Sequence, residues 1–187
     1  MNSELTTNEV IIATTRTWLE KAVIGLNLCP FAKAVHVKNR IRFVVSNAQS
    51  TDALLDTLND ELQFLRDTDA EVVETSLLIH PFVLNDFIDY NNFLDIADAA
   101  IQASGLSGEI QIASFHPDYQ FADTSPGDIE NFSNRSPYPT LHLLREDSIA
   151  RAVAAFPDAA DIYGNNITTL RGLGPEGWGR LWIDETS

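Results

Sequence analysis

Two dipeptides in this chain place a titratable ring where a strand should end. His80-Pro81 closes the short apolar run Thr75 to Ile79, and His116-Pro117 closes the run Ile110 to Phe115. Proline cannot donate into a strand ladder, so each pair marks the point where a buried strand stops. Histidine is the side chain whose ordinary pKa lies near working pH, which makes it the usual general acid or base. His116 is assigned that role, with Asp118 two residues on to orient it or to bind substrate. Arg135 is the candidate clamp for a carboxylate or phosphate, because its planar fork matches such groups in a bidentate way. His80, Lys33, Asn134 and Tyr138 complete the expected binding set.

Cys29, in Leu28-Cys29-Pro30-Phe31, is a candidate nucleophile. A reactive thiolate needs a cation or histidine beside it, and a buried cysteine without one is inert. His80, His116, His142 and Asp118 could in principle gather round a metal, but their spacing matches no metal-site signature and no metal is assigned. His142, between Leu141 and Leu143, reads as a structural strand residue.

The groups with ligand chemistry concentrate in one stretch. Asp118 to Pro139 spans 22 residues with little helical or strand pattern. Structureless stretches beyond about 12–15 residues in a compact domain are usually functional or disordered. This one holds Phe121, Phe132 and Tyr138 besides its prolines, which argues against disorder. Either it builds a site, or it is a lid packed by its own aromatics. The Walker A loop and Gly-x-Ser-x-Gly, motifs of familiar nucleotide-binding and hydrolase chemistry, do not occur, nor does Cys-x-x-Cys.

The elements that must position these residues are legible from periodicity. Thr6 and Glu9 have capping-box spacing before a first helix, which should stop around Gly25, Asn27 and Pro30. Ile41 to Val45 alternates as a strand. Ser50 or Thr51 caps a helix with Leu54, Leu58, Leu62 and Leu65 on one face, and Asn85 or Asp86 caps another that stops at Gly105. Thr140 to Leu144 is a fourth strand. A helix starts at Asp147 or Ser148, and a last one starts near Pro157 and ends near Gly172.

Strands alternating with helices favour parallel crossovers, whereas the fourth strand follows the third without a helix and should pair antiparallel. The expectation is an α/β fold: a mixed, mostly parallel sheet of about four strands flanked by helices, with a ferredoxin-like α+β arrangement as the alternative. If the strands before His80 and His116 are parallel, both histidines stand at the carboxyl edge of the sheet, where open α/β sheets bind ligands. One domain over 8–172 is expected, followed by a tail, 173–187, with Trp178 and Trp182.

Composition narrows the class of partner. With 187 residues, 44% hydrophobic and 21% charged, the chain can bury a sizeable core. A formal charge of −15 disfavours nucleic acid and anionic membrane as partners. One basic island, Lys33, His36, Lys38, Arg40 and Arg42, could attract a small anion or be a solvated turn and strand edge. A single cysteine, an N-terminus without a signal-peptide pattern and no membrane-length apolar run point to the cytoplasm.

Three segments together resemble a known family. Leu26-Asn27-Leu28-Cys29-Pro30-Phe31-Ala32-Lys33, Ser114-Phe115-His116-Pro117-Asp118-Tyr119-Gln120-Phe121 and the run Asn134 to Arg145 are similar to the hallmark segments of a bacterial family of unknown function, DUF1415, over about Val10 to Gly172. The resemblance implies a cytoplasmic single-domain protein and brings no reaction, cofactor or catalytic residue. Two functional readings follow from the residues. One is a small enzyme acting on a polar or anionic metabolite at the sheet edge and the 117–139 loop. The other is a non-catalytic domain that binds a small ligand or a protein. Substrate, cofactor and oligomeric state have no signature in the sequence.

Overall fold

A computed structural model describes residues 6–156 and 158–183. Pro157, expected at a helix start, lies outside the described residues, as does most of the polar N-terminus. Helix α1 (Thr7–Trp18) opens with the reciprocal Thr6–Glu9 capping box and continues as a π-helical segment, Leu19–Ile24. A side chain at Gly25 would run into the Lys21 carbonyl, so the turn out of that segment takes glycine. Asn27, in the left-handed region at φ 54°, reverses the chain. Then follow α2 (Ala32–Val37), β1 (Ile41–Val45), α3 (Thr51–Asp67), β2 (Thr75–Ile79), α4 (Phe87–Ala103), β3 (Ile110–Phe115), a 3-10 turn (Ile129–Asn134), β4 (Thr140–Arg145), α5 (Glu146–Ala155) and α6 (Ile162–Arg180). The side chains of Ser50 and Asp86 cap α3 and α4, each accepting from backbone N–H groups of the first turn. Helix α2 was not anticipated, because six residues are too few for a periodic signal.

The four strands form one mixed sheet in the order β1-β2-β4-β3. β1 and β2 are parallel, and β4 is antiparallel to both of its neighbours. Three strands therefore run one way, and β4 lies between β2 and β3 in the opposite sense. The expected mixed sheet with an antiparallel fourth strand is present, although the insertion of β4 makes two of the three pairings antiparallel. No helix among the described residues is long and apolar enough to cross a membrane.

Helices cover both faces. Leu54, Leu58, Leu62 and Leu65 of α3 and Tyr90, Phe93 and Ala97 of α4 pack on Leu78, Leu141 and Leu143. Each such side chain is worth about 1.5–3 kcal/mol on full burial, so this side carries the main core. Arg42 reaches the same side, forms a bidentate pair with the buried Glu61 of α3 and lies over the Phe64 ring. On the opposite face, Trp18, Leu19, Ala22 and Val23 pack with Ile41, Phe43 and Phe115. Helices α2 and α5 also lie on that side, and neither buries a single residue fully. Helix α6 packs against the 3-10 turn, kinks at Gly174 (φ 65°), and sets Trp178 edge-on to Phe132 at 5.2 Å.

Candidate functional site

Because β2 and β3 run in the same direction, His80 and His116 leave the sheet at one edge, two strands apart. Both are fully buried. His116 has both ring nitrogens engaged. Nε2 lies 3.1 Å from the Leu84 carbonyl, which can only accept, and Nδ1 lies 3.0 Å from the Asp118 amide, which can only donate. The ring is thus the neutral Nε2–H tautomer, and burial holds its pKa below the ordinary value. It clasps the start of the long loop to the turn before α4. His80 donates from Nδ1 to the Val83 carbonyl at 3.0 Å and stacks on Tyr90. Its Nε2 is buried with no partner among the described residues, and desolvation pushes its pKa down to about 4. The Tyr90 hydroxyl beneath them donates to Thr140 O (2.8 Å) and accepts from the Phe115 amide (3.0 Å), so it bridges β4 and β3 where the ladder ends.

The loop turns its polar groups on itself. Arg135 donates from Nε to Tyr119 O (3.2 Å) and from Nη2 to Pro126 O (2.5 Å), with its guanidinium over the Phe132 ring. Two of its three nitrogens are therefore engaged by loop carbonyls. Asn134 donates to Ser114 O and ties the loop to β3. The fully buried Asn131 accepts from the Phe121 amide and the Thr124 hydroxyl and donates to Ser125 O. Tyr138 uses its backbone carbonyl to receive the Ser136 and Thr140 hydroxyls. Asp118 is exposed, and its charge favours the cationic form of Arg135.

The basic island is largely spoken for. Arg40 pairs with Glu71 and lies 3.9 Å from Glu74, Arg42 pairs with Glu61, and His36 sits 3.1 Å from Glu20. Lys33 and Lys38 remain exposed at the two ends of α2, without a side-chain partner among the described residues.

A concavity of about 680 Å³ lies beside the loop, lined among others by Trp18, Pro117, Phe132, Arg135, Ser136 and Trp178, and a second, more apolar one lies against the sheet. A cavity of about 600 Å³ lies between the sheet and the layer formed by the π-helical segment, α2 and α5. Pockets of roughly 300–1,000 Å³ are the usual size for small-molecule sites. Leu77, Ala113 and His142, which stand side by side on β2, β3 and β4, form its floor. The register puts His142 on this face, opposite to His80 and His116, so the histidines do not converge on one metal position. Its neighbours Leu141 and Leu143 point the other way into the main core. The reading of His142 as a structural residue rested on those two leucines, and the alternation of the strand is what separates it from them.

The protonation of His142 follows from its partner. The Thr75 hydroxyl lies 2.5 Å from the Leu143 carbonyl, so its one proton is donated there. Its 2.8 Å contact with His142 Nε2 must then be an N–H from the ring. Nδ1 is left as a bare acceptor with no partner among the described residues. His142 is half-buried, and it lines the cavity. Desolvation accordingly pushes its pKa down to about 4.

Cys29 lines the same cavity. Burial raises its thiol pKa, an effect partly offset by the amides of Phe31 and Ala32. A raised pKa keeps the sulfur as a thiol, the unreactive form.

Among proteins grouped by sequence, the model of the family described as "Protein of unknown function (DUF1415)" matches residues 10–180. The match runs past Gly172, where the resemblance was expected to stop, so Trp178 falls inside it and Trp182 outside. Comparison with curated proteins and with solved structures finds no match.

Proposed function

The chain belongs to the DUF1415 family, whose description carries no activity, and we propose from the geometry that it is a ligand-binding domain. It takes one small, largely apolar molecule into the cavity between the sheet and the α2/α5 layer. The observation that carries this reading is the floor: an apolar surface with one unused acceptor, Nδ1 of His142, oriented by Thr75. A pocket that is mostly apolar with a few fixed polar groups is the common form of a small-molecule site. The ligand would donate one hydrogen bond, from a hydroxyl or N–H, to Nδ1. The lone cysteine fits a reducing, cytoplasmic setting for such a protein.

The enzyme reading at the loop edge draws less from the geometry. His116 would have to release Leu84 or Asp118 to move a proton, and Arg135 already spends Nε and one Nη2 proton on loop carbonyls, which leaves only part of its fork for an anion. These groups fit the description of a packed lid better than that of a poised active site.

Calorimetry with beta-naphthol and its O-methyl ether tests the proposal, since the ether has the same body and cannot donate. One net hydrogen bond is worth about 1 kcal/mol, so naphthol should bind about fivefold more tightly. The difference should vanish in His142→Phe. Ala113→Trp, which fills the floor beside His142, should abolish binding of both. Equal binding of naphthol to wild type and a folded Ala113→Trp would show that the cavity is not the site.

A further inference from the structure

The cavity has a mouth, and its charge runs against that of the rest of the protein. Most lining residues are buried or half-buried. On the flanking helices the exposed ones are Ala34 on α2, Lys38 at the end of α2, and Arg151 and Ala155 on α5. Each pair is spaced by four residues, so each presents one stripe of its helix toward the opening. Phe31, just before α2, meets Phe156, just after α5, edge-on at 5.9 Å. That contact joins the start of one helix to the end of the other, and Lys38 and Arg151 both line the cavity between them.

Three of the chain's twelve lysines and arginines line this cavity, against one of its twenty-seven acids. The acid, Glu74, already has Arg40 at 3.9 Å. Of the three cations, Arg145 is held by the carbonyls of Thr68 and Val73. Among the described residues, Arg151 hydrogen-bonds only the Ser148 hydroxyl, and Lys38 has no side-chain partner. Two uncommitted cations thus stand at the opening of an apolar cleft on a chain of net charge −15. Locally positive potential on an acidic protein draws an anion to that spot and repels cations from it.

We propose that the occupant of the cavity is an apolar organic acid. Its body lies on the floor formed by Leu77, Ala113 and His142, and its carboxylate stays at the mouth between Lys38 and Arg151. This rests on the ligand-binding reading above and adds the chemical class of the ligand.

The test compares beta-naphthoate, beta-naphthol and naphthylmethylammonium, which share one body and differ in charge. Wild type should bind the carboxylate about 3- to 10-fold more tightly than the ammonium, as two partly exposed ion pairs allow. Added salt should narrow that gap. Lys38→Ala/Arg151→Ala changes only exposed side chains, so the variant should fold. It should lose the preference for the carboxylate and bind naphthol as wild type does. If naphthol binds but the carboxylate shows no advantage, or keeps its advantage in the double variant, the organic-acid assignment is overturned and the cavity reading survives. If none of the three probes binds wild type, both are overturned.

Discussion

Acid should expose the desolvation of His142 in a way that a single substitution can isolate. Its pKa falls from 6.5 to about 4 on folding, with burial as the cause. A depressed histidine pKa means that the unfolded chain binds the proton more readily. The corresponding stability is present above pH 6.5 and is lost as the pH falls toward 4. Going from about pH 7.5 to about pH 5 crosses about 1.5 pH units of that window, each worth about 1.4 kcal/mol, so about 2 kcal/mol is lost through this one ring. His80 and the carboxylates titrate over the same range, so the wild-type curve alone is not diagnostic. The informative comparison is with His142→Phe. There the Thr75 hydroxyl keeps its donor bond to Leu143 O, and no buried proton donor is orphaned. Urea unfolding at the two pH values gives the loss for each protein, and the other groups cancel in the difference. The wild type should lose about 2 kcal/mol more than the variant. Equal losses would mean that the imidazole is hydrated when folded, and the argument for a dry, apolar floor would fail with it.

Two further substitutions probe the sheet edge. Tyr90→Phe removes the oxygen that joins Thr140 O to the Phe115 amide and leaves both without their partner. The expected cost is about 2–3 kcal/mol, or a fall in Tm of roughly 5–10 °C, and a loss under about 0.5 kcal/mol would show that the strands can close that gap themselves. Arg135→Lys keeps the charge but cannot hold Tyr119 O and Pro126 O with a planar fork. Limited proteolysis should cut faster within 118–134 while naphthol binding is unchanged; an unaltered cutting rate would remove Arg135 as the pin of the loop.

What was legible along the chain is what neighbouring residues decide among themselves. The capping box at Thr6 and Glu9, the caps at Ser50 and Asp86, the leucine stripe of α3 and the His-Pro strand ends are all local, set by hydrogen bonds and side-chain spacing within a few residues. The same locality explains why the antiparallel sense of β4 was accessible: with no helix between β3 and β4, a reversal is the short connection. The chemical types in the loop were legible too, but not their orientation. Asn131, Asn134 and Arg135 carry the donors and acceptors of a ligand site, and only the folded loop shows them spent on Phe121, Ser114, Tyr119 and Pro126.

The cavity had no local signature because its floor and walls come from segments far apart in the chain. Its floor exists because β4 inserts between β2 and β3 in the register that aligns Leu77, His142 and Ala113. A slip of one residue would turn His142 into the main core and Leu141 or Leu143 into the cavity. The amino-acid order thus specified the elements and which residues could do chemistry. Long-range strand pairing alone decided which of those residues face a common space, because a side chain's outlook on a sheet is a property of register, and register is settled between segments that lie far apart in the chain.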